Sequence, residues 1–190
     1  MRQTLRPTLV LFCILTALTG IVYPLAVTGI GKLFFSRQAA GSLIVRDGQL
    51  VGSSLIAQSF ADPKYFWGRI SATAPMPNNG EASTGSNLGP TNPALADAVK
   101  ARISQLKEAD PQNPLAIPVD LVTASGSGLD PQISPAAALY QLERVARARH
   151  MSPEAVRRLI DQSTERPQWG TFGEARVNVL LLNLALDRAQ

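Results

Sequence analysis

Residues 7–31 read PTLVLFCILTALTGIVYPLAVTGIG, a run without one charged side chain between Arg6 and Lys32. At about 1.5 Å per residue a helix of this length reaches ~37 Å, more than the ~30 Å of a hydrocarbon core. The competing reading is a cleaved signal peptide, whose apolar part is about 7–15 residues long and ends at a small-residue cleavage site. This run is longer, and Lys32, Phe34 and Phe35 border it in the manner of an interface. The reading is therefore a retained membrane helix spanning about 7–31, within an anchor segment 1–36. Pro24 has no N–H to donate, so it kinks the helix or loosens one turn. Thr16, Thr19, Gly20, Thr28, Gly29 and Gly31 are small or hydroxylated and let a second helix approach closely. Gly20 and Gly29 are thus candidate contacts to a partner helix. Two arginines and the terminal amine precede the span and Lys32 and Arg37 follow it, so charge alone fixes its orientation poorly.

The charge of the remainder follows from the anchor. The net charge is +4, but Arg2, Arg6, Lys32 and Arg37 all lie in the first 37 residues. Without those four the 18 basic residues become 14, matching the 14 acidic ones. A neutral folded body argues against nucleic acid as a partner, because phosphate binding needs a basic surface. The lone Cys13 lies in the span and permits no internal disulfide and no paired-cysteine metal site.

Residues 37–190 read as one α+β domain with a small sheet and several helices. In SLIVRDGQLVGSSLIAQSF (42–60), Asp47 and Gly48 between two apolar runs signal a hairpin. IPVDLVT (117–123) is rich in β-branched residues and is expected to be a third strand. Residues 71–92 are small, polar and turn-forming, the composition of a long loop. Asn92, Ser134 and Ser152 each precede a proline, the pattern of an N-cap and first helical position. Helices are expected over about 93–109, 135–149 and 153–164, with apolar stripes through Ala138, Leu142 and Val145 and through Val156, Leu159 and Ile160. Asn178 caps a last helix whose stripe is Val179, Leu182 and Leu186.

The stretch VTASGSGLDPQISP (122–135) resembles the layout of a nucleophile site. It lacks G-x-S-x-G, and a serine nucleophile needs a base within hydrogen-bond reach. The single histidine, His150, falls at a helix end, where it can favour the helix dipole. Asp130 before Pro131, and Ser134 before Pro135, are what a turn and a cap require. Phosphate-loop, zinc and calcium-loop patterns are absent from the sequence. Arg144, Arg147, Arg149, Arg157 and Arg158, near Glu143, Glu154 and Asp161, read as a solvated, ion-paired helix face, with a docking surface as the alternative. The alternative left open is a membrane-anchored extracytoplasmic serine hydrolase using Ser125 or Ser127.

Five long motifs in order give the chain a family resemblance. They are YPLAVTGIGKLFF, GSLIVRDGQLVGSSLIAQSF, YFWGRISATAPMPNNGEASTGSNLGPTNP, PVDLVTASGSGLDPQISPAAALYQLERVARAR and VNVLLLNLALD. Together they resemble the C subunit of Kdp-type potassium-transporting P-type ATPases over essentially the whole length. Ile70, where the family pattern has proline, is a departure that changes one turn. The resemblance implies an accessory, non-catalytic, single-pass subunit of an inner-membrane potassium pump, with its N-terminus cytoplasmic and its domain outside. It implies a potassium-pore subunit and an ATP-hydrolysing subunit as partners, besides membrane lipid. It also implies a catalytic-chaperone role that raises nucleotide affinity, with ATP, magnesium and potassium used by the complex and no cofactor held by this chain. Ser125, Ser127 and Asp130 are then candidate subunit contacts.

Overall fold

The structure, a computed structural model, describes residues 2–189. The chain divides into two compact units, Met1–Val51 and Gly52–Gln190.

The first unit begins with helix α1 (Arg2–Ala17), a π-helical turn (Leu18–Val22) and helix α2 (Tyr23–Phe34). Together they give one candidate membrane span, Thr4–Phe34, with mean hydropathy 2.3 and nothing in it buried. Apolar side chains all round a helix, with no core to enter, call for lipid or other helices. The π turn lies directly ahead of Pro24, which occupies the first turn of α2. The missing proline N–H leaves a carbonyl one turn back without its helical donor, and the widened turn is the response. Thr19 Oγ1 donates to the Leu15 carbonyl at 2.7 Å. A short helix α3 (Ser36–Ala39) leads to strands β1 (Leu43–Arg46) and β2 (Gln49–Ser53), which pair as a two-stranded hairpin. Asp47 and Gly48 have φ of 52° and 77°. These are the two positive angles of a tight hairpin turn, which glycine and aspartate tolerate.

The second unit carries α4 (Pro93–Ala109), α5 (Val119–Val122), β3 (Gln132–Ile133), α6 (Pro135–Arg149), α7 (Pro153–Ser163), β4 (Thr164–Glu165), β5 (Arg176–Asn178) and α8 (Val179–Arg188). Asn92, Ser134, Ser152 and Asn178 cap α4, α6, α7 and α8 through their side chains, and proline opens the first three. Strand β5 lies between β3 and β4 in an antiparallel sheet, with Ile133 and Thr164 both opposite Val177. The apolar stripes meet in the core: Val145, Val156, Val177, Leu182 and Leu186 are fully buried.

The expected strand at 117–123 is corrected. Those residues hold the single helical turn α5, with Leu121 N bonded to Pro118 O and Thr123 N to Val119 O. The β-branched residues there fill core space, as Leu121 and Val122 are buried, rather than join a ladder. Extended pairing starts just beyond, where Ala124 bridges Ile70 in parallel.

The segment through Phe66 and Trp67 crosses the core without a strand partner. Two amide side chains take that part. Asn183 accepts from Phe66 N at 2.8 Å and donates to Phe66 O at 3.0 Å. Gln141 accepts from Trp67 N at 2.8 Å and donates to Trp67 O at 3.1 Å. Both amides are buried, so the backbone groups they meet have no recourse to water.

Candidate functional site

Residues 122–135 run from α5 through β3 to the cap of α6. In the structure they form a cradle for the 71–85 end of the long loop. Thr84 N and Ser83 Oγ both donate to Ser127 O, each at 3.0 Å. Ser71 Oγ donates to Gly128 O at 2.7 Å and accepts from Asn78 N at 2.9 Å. Thr73 Oγ1 donates to Met76 O and accepts from Asn79 N. The glycines make the fit possible. A Cβ on Gly128 (φ +70°) would lie 2.6 Å from Thr84 O, and one on Gly85 would lie 2.8 Å from Gly126 O. Those are closer than any side chain tolerates, and Gly128 also needs a left-handed backbone.

Ser127 Oγ accepts from Leu129 N at 3.1 Å, a local turn bond. Ser125 is 2% exposed and its hydroxyl has no hydrogen-bond partner among the described residues. Asp130 accepts from Gln132 N and pairs with Arg69 at 3.0 Å. His150 sits apart from all three as the exposed left-handed residue (φ 54°) that ends α6. The layout therefore brings Ser125, Ser127 and Asp130 into one connection, without bringing the histidine to them. Among the described residues no group of three His, Cys, Asp or Glu is placed to hold a metal ion.

Gly20 lies in the π turn and Gly29 in α2, and a Cβ on either would meet nothing within 4 Å beyond the helix's own backbone. Their faces are open among the described residues.

Two open clefts flank Arg69. One, of about 480 Å³, is lined by Gln58, Ser59, Asn78, Arg102 and Gln105 among others. The other, of about 460 Å³, is lined by Val119, Asp120, Asp130, Glu174 and Arg176 among others. Arg69 reaches Asp130 and the Ala124 carbonyl, and its Nε is buried without a partner among the described residues. Arg102 donates to Leu121 O and Gly68 O, and burial pushes its pKa below the ordinary arginine value.

The solvated arginine face holds at Arg147, Arg157 and Arg158, which are exposed, and is corrected at Arg144 and Arg149. Arg144 and Arg149 are each 4% exposed. Arg144 bonds the carbonyls of Pro63 and Tyr65 and stacks on Trp67, with its guanidinium carbon 4.3 Å from the ring centre. Arg149 donates to Lys64 O and pairs with Asp187 at 2.7 Å. Burial pushes Arg144 down to about 10, which still leaves it charged at neutral pH. Its charge is balanced by carbonyl dipoles and an aromatic face rather than by water. Charge patterning hid this inward role, as it hid the amide clasps of Gln141 and Asn183. The only sequence signal was the aromatic cluster at 65–67, which gives arginines something to stack on.

An apolar helix without a burial partner, carrying a small α+β unit whose polar side chains are spent on holding its own loops, defines a membrane-anchored α+β protein. The comparisons place it more narrowly. The family model described as KdpC, K+-transporting ATPase, c chain, matches residues 5–188. The chain belongs to that family. It is 65% identical over 187 residues to the potassium-transporting ATPase KdpC subunit of Dechloromonas aromatica (strain RCB), covering 98% of both chains. It is 66% identical to the subunit of the same name from Variovorax paradoxus (strain S110), covering 98% of this chain and 97% of that one. With that of Janthinobacterium sp. (strain Marseille) it shares 64%, covering 99% of this chain and all of the other.

Proposed function

We propose that the chain is a non-catalytic accessory subunit of an ATP-driven potassium uptake pump, which assembles with and stabilises the pore and ATP-hydrolysing subunits. Its anchor lies in the inner membrane with the N-terminus cytoplasmic and the α+β unit outside. The observation that carries this reading is the family match over nearly the full length. The state of the serines supports it over a hydrolase: Ser125 is buried and Ser127 is spent on a turn. ATP, magnesium and potassium are used by the complex, and no residue of this chain is assigned to them. The catalytic-chaperone role, a gain in nucleotide affinity of the ATPase subunit, acts indirectly or through the cytoplasmic end of the anchor, because the outer unit is on the other side of the membrane.

A tagged chain purified in mild detergent tests this. Two larger membrane proteins are expected to co-purify, and the complex is expected to hydrolyse ATP with a lower KM than the same complex lacking this chain. Purification of the chain alone, with esterase activity abolished by Ser127→Ala, would establish the hydrolase instead. Alkaline-carbonate release of a shortened chain would remove the anchor from the reading.

A further inference from the structure

Strands β4 and β5 are joined by a tight aromatic tip. Gln168 and Phe172 exchange both backbone hydrogen bonds, at 2.8 and 3.0 Å. Trp169 (φ 52°) and Gly170 (φ 78°) turn the chain between them. The rings of Trp169 and Phe172 meet edge to face, with centroids 5.8 Å apart at 88°. Trp169 is 89% exposed and Phe172 64%. Among the described residues they are the only exposed aromatic side chains of the second unit. A hydrogen-bonded turn holds them in place, so little ordering entropy is lost when they are covered.

Next to this tip the chain returns past the 460 Å³ cleft, lined by Glu174 and Arg176 on one side and by Val119, 70% exposed, on the other. The arginines there are already engaged: Arg69 with Asp130 and Arg176 with Glu165, each at 3.0 Å. Asp120 is held by the backbone N–H and hydroxyl of Ser134. Glu174 is exposed and forms no ion pair among the described residues. The rim is therefore left with uncompensated negative charge beside an apolar knob and an apolar wall.

We propose that this tip and cleft are the surface by which the outer unit docks a membrane-embedded partner subunit, which presents an apolar socket for Trp169 and Phe172 and a basic side chain for Glu174. The proposal rests on the accessory-subunit reading above. Charge decides between a protein and a bilayer as the occupant. The cleft is lined by three carboxylates, Asp120, Asp130 and Glu174, against two arginines, Arg69 and Arg176, an acidic excess that disfavours an anionic headgroup surface, and a flat bilayer covers a knob without filling the cleft beside it. A protein loop does both. Two aromatic side chains cover about 150–250 Å² each, short of the ~1,000 Å² of a stable interface, so the tip is the anchor of a wider contact. Buried aromatic anchors of this kind carry most of an interface's energy.

The test uses the assembled complex, purified through a tag on this chain. A photoreactive benzophenone amino acid at position 169 is expected to cross-link to a partner subunit. A lipid adduct alone, or none, overturns the proposal. The variant W169A/F172A is expected to lower partner retention at least tenfold with the chain's own melting temperature unchanged, since neither ring is in the core. Leu55→Ala, an exposed apolar residue elsewhere (58% exposed), is expected to retain the partner in full. Glu174→Lys is expected to cost more than Glu174→Gln, and equal losses would overturn the charge complementarity. If the parent chain itself retains no partner, the accessory-subunit reading fails. If parent and W169A/F172A retain it equally, only the docking surface does.

Discussion

At position 183 one amide holds both polar groups of a buried peptide unit. Replacing Asn183 by leucine keeps the branched shape of the side chain and leaves Phe66 N–H and C=O without partners. Each such orphan costs about 1–3 kcal/mol, so a loss of about 2–6 kcal/mol is expected. Thermal unfolding of the chain in detergent should show a melting temperature lower by roughly 10 °C. Ser125 is the opposite case. Its hydroxyl is already buried without a partner among the described residues, so Ser125→Ala removes a cost instead of a bond. The melting temperature is expected to stay level or rise, with pump turnover within a few-fold of the parent. A fall in turnover with assembly intact would mean that the hydroxyl does chemistry. These roles were not legible in the sequence. Asn183 sits in an apolar run, LLLNLAL, as Gln141 sits in AALYQLERV. Nothing local says that either faces a backbone made far earlier in the chain. The same holds for Arg144 and Arg149, whose neighbours in sequence include Glu143 and suggest a wet face.

Elements were more readable, because their signals are local. Asp47 with Gly48 gave the hairpin, and Asn92, Ser134, Ser152 and Asn178 gave four helix starts, since a cap bonds to an N–H only two or three residues on. The failure at IPVDLVT has the same origin. β-branched residues suit a strand only if another strand is present, and here Pro118 and Asp120 open one helical turn instead. The long loop was read by composition, but its dock was not. That dock gives a prediction. Gly128→Ala combines a left-handed backbone with a contact at 2.6 Å from Thr84 O, so the 71–85 strap must lift. Limited proteolysis is expected to cut within 71–92 at least tenfold faster than in the parent, while helices α6 to α8 stay protected. Unchanged cleavage would show that the strap is held from elsewhere.

For the whole molecule, the anchor supplies the sharpest expectation. Among the described residues nothing beyond the helix's own backbone lies within 4 Å of a Cβ placed on Gly20 or Gly29. Bulk added there cannot damage the chain's own packing, so any effect on assembly reports a neighbouring helix. If Gly20→Leu meets a partner backbone, overpacking costs about 1–3 kcal/mol, or roughly one to two decades of association. The yield of partner subunits on the tagged chain is expected to drop accordingly, with Leu11→Phe as the comparison. Full yield from both Gly20→Leu and Gly29→Leu would make the helix a tether and leave the contact to the second unit.

The amide clasps also set a timetable for making the protein. Phe66 is gripped by a residue synthesised 117 positions later, and Trp67 by one 74 positions later. At about 5–20 residues per second, the aromatic segment waits about 6–23 s for its last partner to leave the ribosome. Folding of the second unit therefore cannot finish while the nascent chain is short of α8. A chain broken off before Asn183 leaves Phe66 without its clasp and open to chaperones and proteases.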